Sequence, residues 1–226
     1  MSALEIVLVS VLGSIAVITG IGILVIHALQ ENKAANLNLL NLQSEKEKTV
    51  FFGDSLMDFY PVQEFFPTRH IYNRGIANDT TKDVLARLEN VADLAPSKLF
   101  LLIGTNDLGC LVKPQKILAN VAKIVEAVRI SNPNVKIYIL SQFPVLRTAT
   151  FFSVFSCNFR TNKKLMALSE MQKEFCLQNG CSFIDVWPIL ADEKNRLKRE
   201  YTIEGLHLTI KGYTAVSEVL RPYILD

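Results

Sequence analysis

Hydrophobic positions fall into two regimes along this chain. From Ile6 to Ile26 there are 21 consecutive residues without an ionisable side chain, and a helix of that length spans about 30 Å, the thickness of one hydrocarbon core. From Thr49 onward short apolar runs alternate with longer amphipathic ones, the pattern of βαβ units around a parallel sheet. The short runs predict strands at 49–52, near 71–72, at 98–103, 135–141 and 182–186. The longer ones predict helices at 80–91, 114–130, 161–178 and 211–220. Asp79-Thr80-Thr81 supplies N-cap chemistry, Pro114 opens its helix, and Asn179-Gly180 closes the third. The expected fold is a three-layer α/β/α domain with a flavodoxin-like parallel sheet, preceded by one N-terminal transmembrane helix.

Three segments follow from this pattern: an anchor over residues 1–28, a stalk over 29–48 and a catalytic-sized domain over 49–226. A cleaved signal peptide is the competing reading of the anchor. Against it, residues 1–5 carry no Lys or Arg, the apolar run is longer than an ordinary signal core, and no small-x-small cleavage site follows closely. The stalk is rich in Asn, Gln and charge, ends in Glu45-Lys46-Glu47-Lys48, and is expected as a partly irregular linker, the alternative being a juxtamembrane helix that lays Leu37 and Leu40 against the lipid surface or the domain. Lysines flank only its carboxyl side, which by the positive-inside rule favours a cytoplasmic domain. Analogy with other domains on a single N-terminal anchor favours the outside, so the side stays open.

The formal charge of +2 divides into −1 for residues 1–48, with three Lys and four Glu, and +3 for the remainder. Neither part has a nucleic-acid footprint. Cys110, Cys157, Cys176 and Cys181 lack metal-type spacing and read as small buried hydrophobes.

Candidate chemistry lies where apolar runs stop. Residues 51–52 lead into Gly53-Asp54-Ser55, Ile71-Tyr72 into Asn73-Arg74-Gly75, and the run 99–103 into Gly104-Thr105-Asn106-Asp107. Near the carboxyl end stands Glu204-Gly205-Leu206-His207-Leu208-Thr209. Taken singly, each is ordinary turn chemistry. Together and in this order, over residues 51–209, the four stretches resemble the SGNH (GDSL-type) hydrolase family.

The resemblance implies a serine esterase or acylhydrolase with an acyl-serine intermediate and no cofactor or metal. Ser55 resembles the nucleophile, His207 the general base and Glu204 the carboxylate that orients the imidazole. The N–H groups of Ser55 and Gly75 and the Asn106 amide resemble the oxyanion hole. Glu204 departs from the family, which usually has Asp there. Asp54 and Asp107 are expected to hold loop backbone, and Trp187 to pack. The substrate is expected to be a lipid-like ester or an O-acetylated carbohydrate, with the membrane as partner through the N-terminal helix. The five phenylalanines between Phe143 and Phe159 are read either as core or as the wall of an acyl pocket at the membrane. A binding module that keeps the fold without the chemistry is the alternative function.

Overall fold

The computed structural model describes residues 3–41 and 48–226. In chain order its elements are α1 (Ala3–Asn41), β1 (Thr49–Gly53), α2 (Ser55–Asp58), α3 (Val62–Phe65), β2 (Ile71–Gly75), α4 (Thr81–Ala86), α5 (Glu89–Ala92), β3 (Lys98–Leu102), α6 (Thr105–Gly109), α7 (Pro114–Ser131), β4 (Lys136–Leu140), α8 (Ser153–Cys157), α9 (Asn162–Asn179), β5 (Ser182–Ile184), α10 (Trp187–Leu190) and α11 (Ile210–Leu225). The strands form one sheet in the order β2-β1-β3-β4-β5, and every pairing is parallel. The expected three-layer α/β fold is therefore present, with strand ends moved by a few residues. The sheet order reverses between β1 and β3, and in open parallel sheets ligands bind at the carboxyl ends of strands at such a switch point. Ser55 follows β1 and Asn106 follows β3.

All five residues of β1 are buried, which is why the run reads as continuously apolar: a central parallel strand is covered on both faces. Phe51, Phe100 and Tyr138 occupy neighbouring register positions and stack at 4.8 and 4.7 Å between ring centroids. They pack in one core with residues of α2, α3 and α11. Val50, Phe52, Leu99, Leu101, Ile137 and Ile139 face the other way, against α4, α5 and α7.

Two expectations require correction. The helix expected over 80–91 is two helices, broken at Arg87. There the guanidinium turns inward, donating to Asp79 Oδ2 (2.5 Å), Arg74 O (2.8 Å) and Gly53 O (3.1 Å). A buried cation is tolerated only with such a full set of acceptors, and the break in the helix positions it among them.

The second concerns the stalk. Its described part is regular helix to Asn41, and it packs on the domain. Gln30 Nε2 donates to Ala77 O (2.6 Å), Lys33 pairs with Asp58, Asn38 Nδ2 donates to Glu89 (3.0 Å), and Asn90 Nδ2 donates to Ala34 O (3.1 Å). Leu37 is buried. Polar residues that argued for irregular chain instead bond across to α5. Glu45-Lys46-Glu47 lies outside the described residues. From Val11 to Leu29 the helix is exposed apart from the half-buried Gly20, and none of its most apolar 18-residue window, of mean hydropathy 2.2, is buried in the domain. It is long and apolar enough to cross a membrane, and a signal sequence has the same features.

Removing residues 1–28 is expected to leave the thermal midpoint unchanged, whereas removing 1–41 also strips Leu37 and the polar contacts from α5. That loss, about 2 kcal/mol or more, lowers the midpoint by about 5 °C or more for a domain of this size. Equal midpoints for the two fragments contradict the packing role of the second half of α1.

Candidate active site

The backbone turns sharply where β1 ends. Gly53 has φ +157°, and a Cβ there would stand 2.0 Å from Leu102 O, so only glycine fits between the strand ends. Asp54 caps α2 by accepting from Leu56 N (2.9 Å), and Ser55 becomes the first residue of that helix. The short helix is then fastened from both sides. Tyr213 Oη donates to Leu56 O (2.9 Å) from α11, and Asn73 Nδ2 donates to Met57 O (2.7 Å) from β2. A serine held by backbone on three elements has little freedom to drift from its partner.

That partner arrives from the far end of the chain. The loop after β5 is closed by a bridge between Thr202 and Leu208 and turned by Gly205, with φ +99° and no room for a Cβ beside Leu146 O, 2.2 Å away. His207 Nε2 lies 3.0 Å from Ser55 Oγ, and its Nδ1 lies 2.9 Å from Glu204 Oε1. The same carboxylate oxygen accepts the His207 backbone N–H at 2.5 Å. A carboxylate can only accept, so the network assigns the ring proton to Nδ1 and leaves Nε2 as the acceptor for the serine hydroxyl. Partial burial works to raise the Glu204 carboxyl, but the hydrogen bonds from the His207 ring and backbone outweigh it and hold it below the usual range. The extra methylene of Glu is absorbed because the side chain folds back over a single turn.

The three expected oxyanion donors differ in their surroundings. Asn106 is buried at the start of α6. Its Oδ1 accepts from Arg160 Nη2 (2.5 Å) and its Nδ2 donates to Asp79 O (2.8 Å). Those partners fix which end of the amide is nitrogen, and a second N–H remains on it. The Gly75 N–H, by contrast, donates to Asn73 Oδ1 (2.9 Å), and a Cβ at Gly75 would fall 2.3 Å from Asp58 N. Gly75 is thus required for the approach of β2 to α2, and its N–H already has an acceptor. The Ser55 N–H stands in the first turn of α2, where helical N–H groups lack intrahelical partners.

Sequence reasoning missed Arg160. Its Nε also donates to Thr105 Oγ1 (3.2 Å), and the guanidinium fills the space that a side chain at Gly109 would need. The sequence around it offers no distinguishing signal, since Arg147 is a second cation in the same aromatic loop, which also carries Thr148, Thr150, Ser153, Ser156 and Asn158. Asp107 accepts from Thr81 N (2.8 Å) and Thr81 Oγ1 (2.6 Å), the loop-holding role expected of it, and Trp187 is packed in a small core with Leu165 and Leu168. Asp54 is fully buried, and desolvation pushes its carboxyl up to about 7, against the pull of the Leu56 N–H and the nearby Arg160 and His207. A cavity of about 360 Å³ joins these groups, lined by Ser55, His207, Glu204, Asn106 and Arg160 together with Asn78 and Phe155.

The model of the GDSL-like Lipase/Acylhydrolase family matches residues 51–215, and the chain belongs to that family. Human platelet-activating factor acetylhydrolase IB subunit alpha2 is 30% identical over 198 residues, covering 84% of this chain and 82% of the relative. The bovine alpha1 subunit is 25% identical over 189 residues, covering 81% and 77%. Among solved structures, a Streptococcus pneumonia protein described as a platelet activating factor superposes with TM-score 0.86 at 33% identity, covering 92% of this chain and 99% of its own. That share exceeds residues 48–226, so the likeness extends into α1. A GDSL-like lipase from Bacteroides thetaiotaomicron shares the fold, with TM-score 0.73 at 22% identity over 84% of this chain and 96% of its own.

Two predictions follow from this geometry. Asn106→Ala is expected to lower kcat by about 10²–10³, with a smaller change in KM, the loss typical of one oxyanion donor. Arg160→Met is expected to cost less in the Asn106→Ala background than alone, because it acts through the amide it orients. A change confined to KM contradicts the assignment of Asn106.

The second concerns pH. A carboxyl whose folded pKa is raised contributes stability that is fully present below its unfolded value near 4 and lost as pH rises through about 7. Asp54→Asn keeps the acceptor for Leu56 N and cannot ionise. The midpoint of the variant relative to wild type is therefore expected to rise from pH 4 to pH 8, whatever constant offset the substitution brings. A difference that stays flat over that window contradicts the buried-carboxyl assignment.

Proposed function

We propose that this chain is a serine ester hydrolase, anchored in a membrane by α1, that removes a short acyl group through an acyl-serine intermediate. The hydrogen-bonded relay from Ser55 Oγ through His207 to Glu204 carries this reading. His207 Nε2 takes the serine proton as Oγ attacks the ester carbonyl, and Glu204 steadies the imidazolium that forms. Negative charge on the carbonyl oxygen meets the Asn106 amide and the Ser55 N–H. The Gly75 N–H, held by Asn73 Oδ1, is left out of this set of donors. The leaving alcohol takes the proton back from His207, and water activated at the same nitrogen releases the acid.

The size and polarity of the cavity favour a short acyl group such as acetyl over a long chain. The two relatives, by name acetylhydrolases of platelet-activating factor, agree with that choice. The alternative of a binding module without chemistry drew its support from the departure at Glu204. It loses that support because Glu204 lies within hydrogen-bonding reach of the ring nitrogen.

Ser55→Ala is expected to abolish both fluorophosphonate labelling and p-nitrophenyl acetate turnover while leaving the thermal midpoint in place. Glu204→Gln should lose about two orders of magnitude in kcat or more, because the ring tautomer is no longer fixed, whereas Glu204→Asp retains a substantial part. Near wild-type rates for both Glu204 variants contradict the relay, and turnover by Ser55→Ala contradicts the nucleophile.

A further inference from the structure

We infer that the edge of the sheet carrying the active site is a lipid-docking face, set against the bilayer that α1 spans, and that the ester comes from a lipid of the adjoining leaflet. This rests on the ester-hydrolase reading and on α1 as a membrane span. It adds what the face binds and where the substrate resides.

The first observation is the direction of α1. Gln30 and Lys33 meet Ala77 and Asp58, which follow the carboxyl ends of β2 and β1. Asn38 meets Glu89 and Asn90, on the return path towards the start of β3. The helix therefore runs opposite to the strands, and its apolar part projects beyond the edge where Ser55 and His207 lie. From Ile26, the end of the uninterrupted apolar run, to Gln30 is four residues, about 6 Å along a helix. The headgroup layer on each side of a bilayer is about 5–7 Å deep. A span that places Ile26 at the hydrocarbon boundary brings this edge down to the headgroups.

The second observation is independent of the first. Large apolar side chains are exposed on that same edge, from loops far apart in sequence: Phe59 after β1, Leu111 after α6, Phe151, Phe152 and Phe155 between β4 and α9, and Ile203 before Glu204. Phe151 is 85% exposed and Phe155 74%. Two of them border the site itself: the Phe59 ring lies 5.1 Å from that of His207, and Phe155 lines the cavity; Phe151 and Phe152 precede Phe155 in the same loop, and Ile203 adjoins Glu204. Scattered exposed apolar residues need no explanation, but several of them on the loops that border a polar cavity mark an interaction surface. Aromatic and aliphatic side chains enter the headgroup and acyl boundary in interfacial proteins. The helix that leads out of this edge identifies that surface as the bilayer. A lipid ester presented here keeps its chains in the bilayer, into which Phe151 and Phe152 insert, while its short acyl group enters the cavity.

The full chain in phosphatidylcholine vesicles tests the proposal. In Phe151→Ser/Phe152→Ser, p-nitrophenyl acetate turnover is expected to stay near wild type, while hydrolysis of an acetyl-ester phospholipid within the same vesicles falls by about ten-fold or more. Equal losses on both substrates, or none on either, overturn the docking face. If wild type fails on the soluble ester, the hydrolase reading is what fails. Docking is then read without catalysis, from Phe152→Trp in vesicles of brominated phosphatidylcholine. Quenching of the added tryptophan, over the buried Trp187 as background, is expected. A solvent-like, unquenched emission overturns the proposal, and so does a blue-shifted emission that brominated lipid does not quench, because that means a second copy of the chain covers the face.

Discussion

A hydrogen bond of 3.0 Å joins Ser55 and His207, 152 positions apart in the chain, and the rest of the structure holds its two ends at that separation. One end is the abrupt stop of β1 at Gly53, which a side chain would collide with at Leu102 O. The other is a loop that bends at Gly205 for the same steric reason. Neither end is positioned by its own loop alone. Tyr213, in the first turns of α11 just after the histidine loop, bonds the backbone of the serine helix and stacks on Tyr60 at 4.8 Å. The element that delivers His207 therefore also clamps Ser55. That coupling joins two distant loops at one candidate site and holds Ser55 and His207 within hydrogen-bonding reach.

Beneath the site lies a layer of buried charge. Arg87 ties Asp79 to the ends of β1 and β2, and Arg160 lies beside Asn106 with Asp54 close by. Desolvation raises Asp79 to about 6 despite its arginine partner. Replacing such groups with apolar ones often stabilises a protein, so their presence under the catalytic edge fits a role in orientation rather than stability. Asn106 illustrates the point: its amide has a defined donor end only because a guanidinium takes one side and a backbone carbonyl the other.

How much of this was legible in the sequence depended on whether a residue's partner was local. The strands could be read because buried parallel strands are apolar throughout, and 49–53 and 98–102 carry that signature. The relay could be read because Glu204 and His207 are three residues apart and the blocks come in a known order. Arg160 could not, since nothing local distinguishes a cation that turns inward from one that faces water. Arg87 broke an otherwise regular helical pattern for acceptors on other elements. The engagement of the Gly75 N–H by Asn73 was hidden for a similar reason: Asn73-Arg74-Gly75 names the residues but not which of their groups bond one another. In the stalk, Asn32, Asn36, Asn38 and Asn41 lowered the helical propensity of 29–41, and contacts with α5 outweighed it.

The apolar run and the candidate site are joined by one continuous helix, which packs on the domain from Gln30 to Asn38. The account stands or falls, however, on the acyl-serine intermediate. The most direct measurement is mass spectrometry of the protein quenched during p-nitrophenyl acetate turnover and digested to peptides. A single acetyl group on the peptide bearing Ser55, trapped in wild type and absent from Ser55→Ala, is the predicted result. Turnover with no acyl adduct, or with the adduct on another residue, contradicts it.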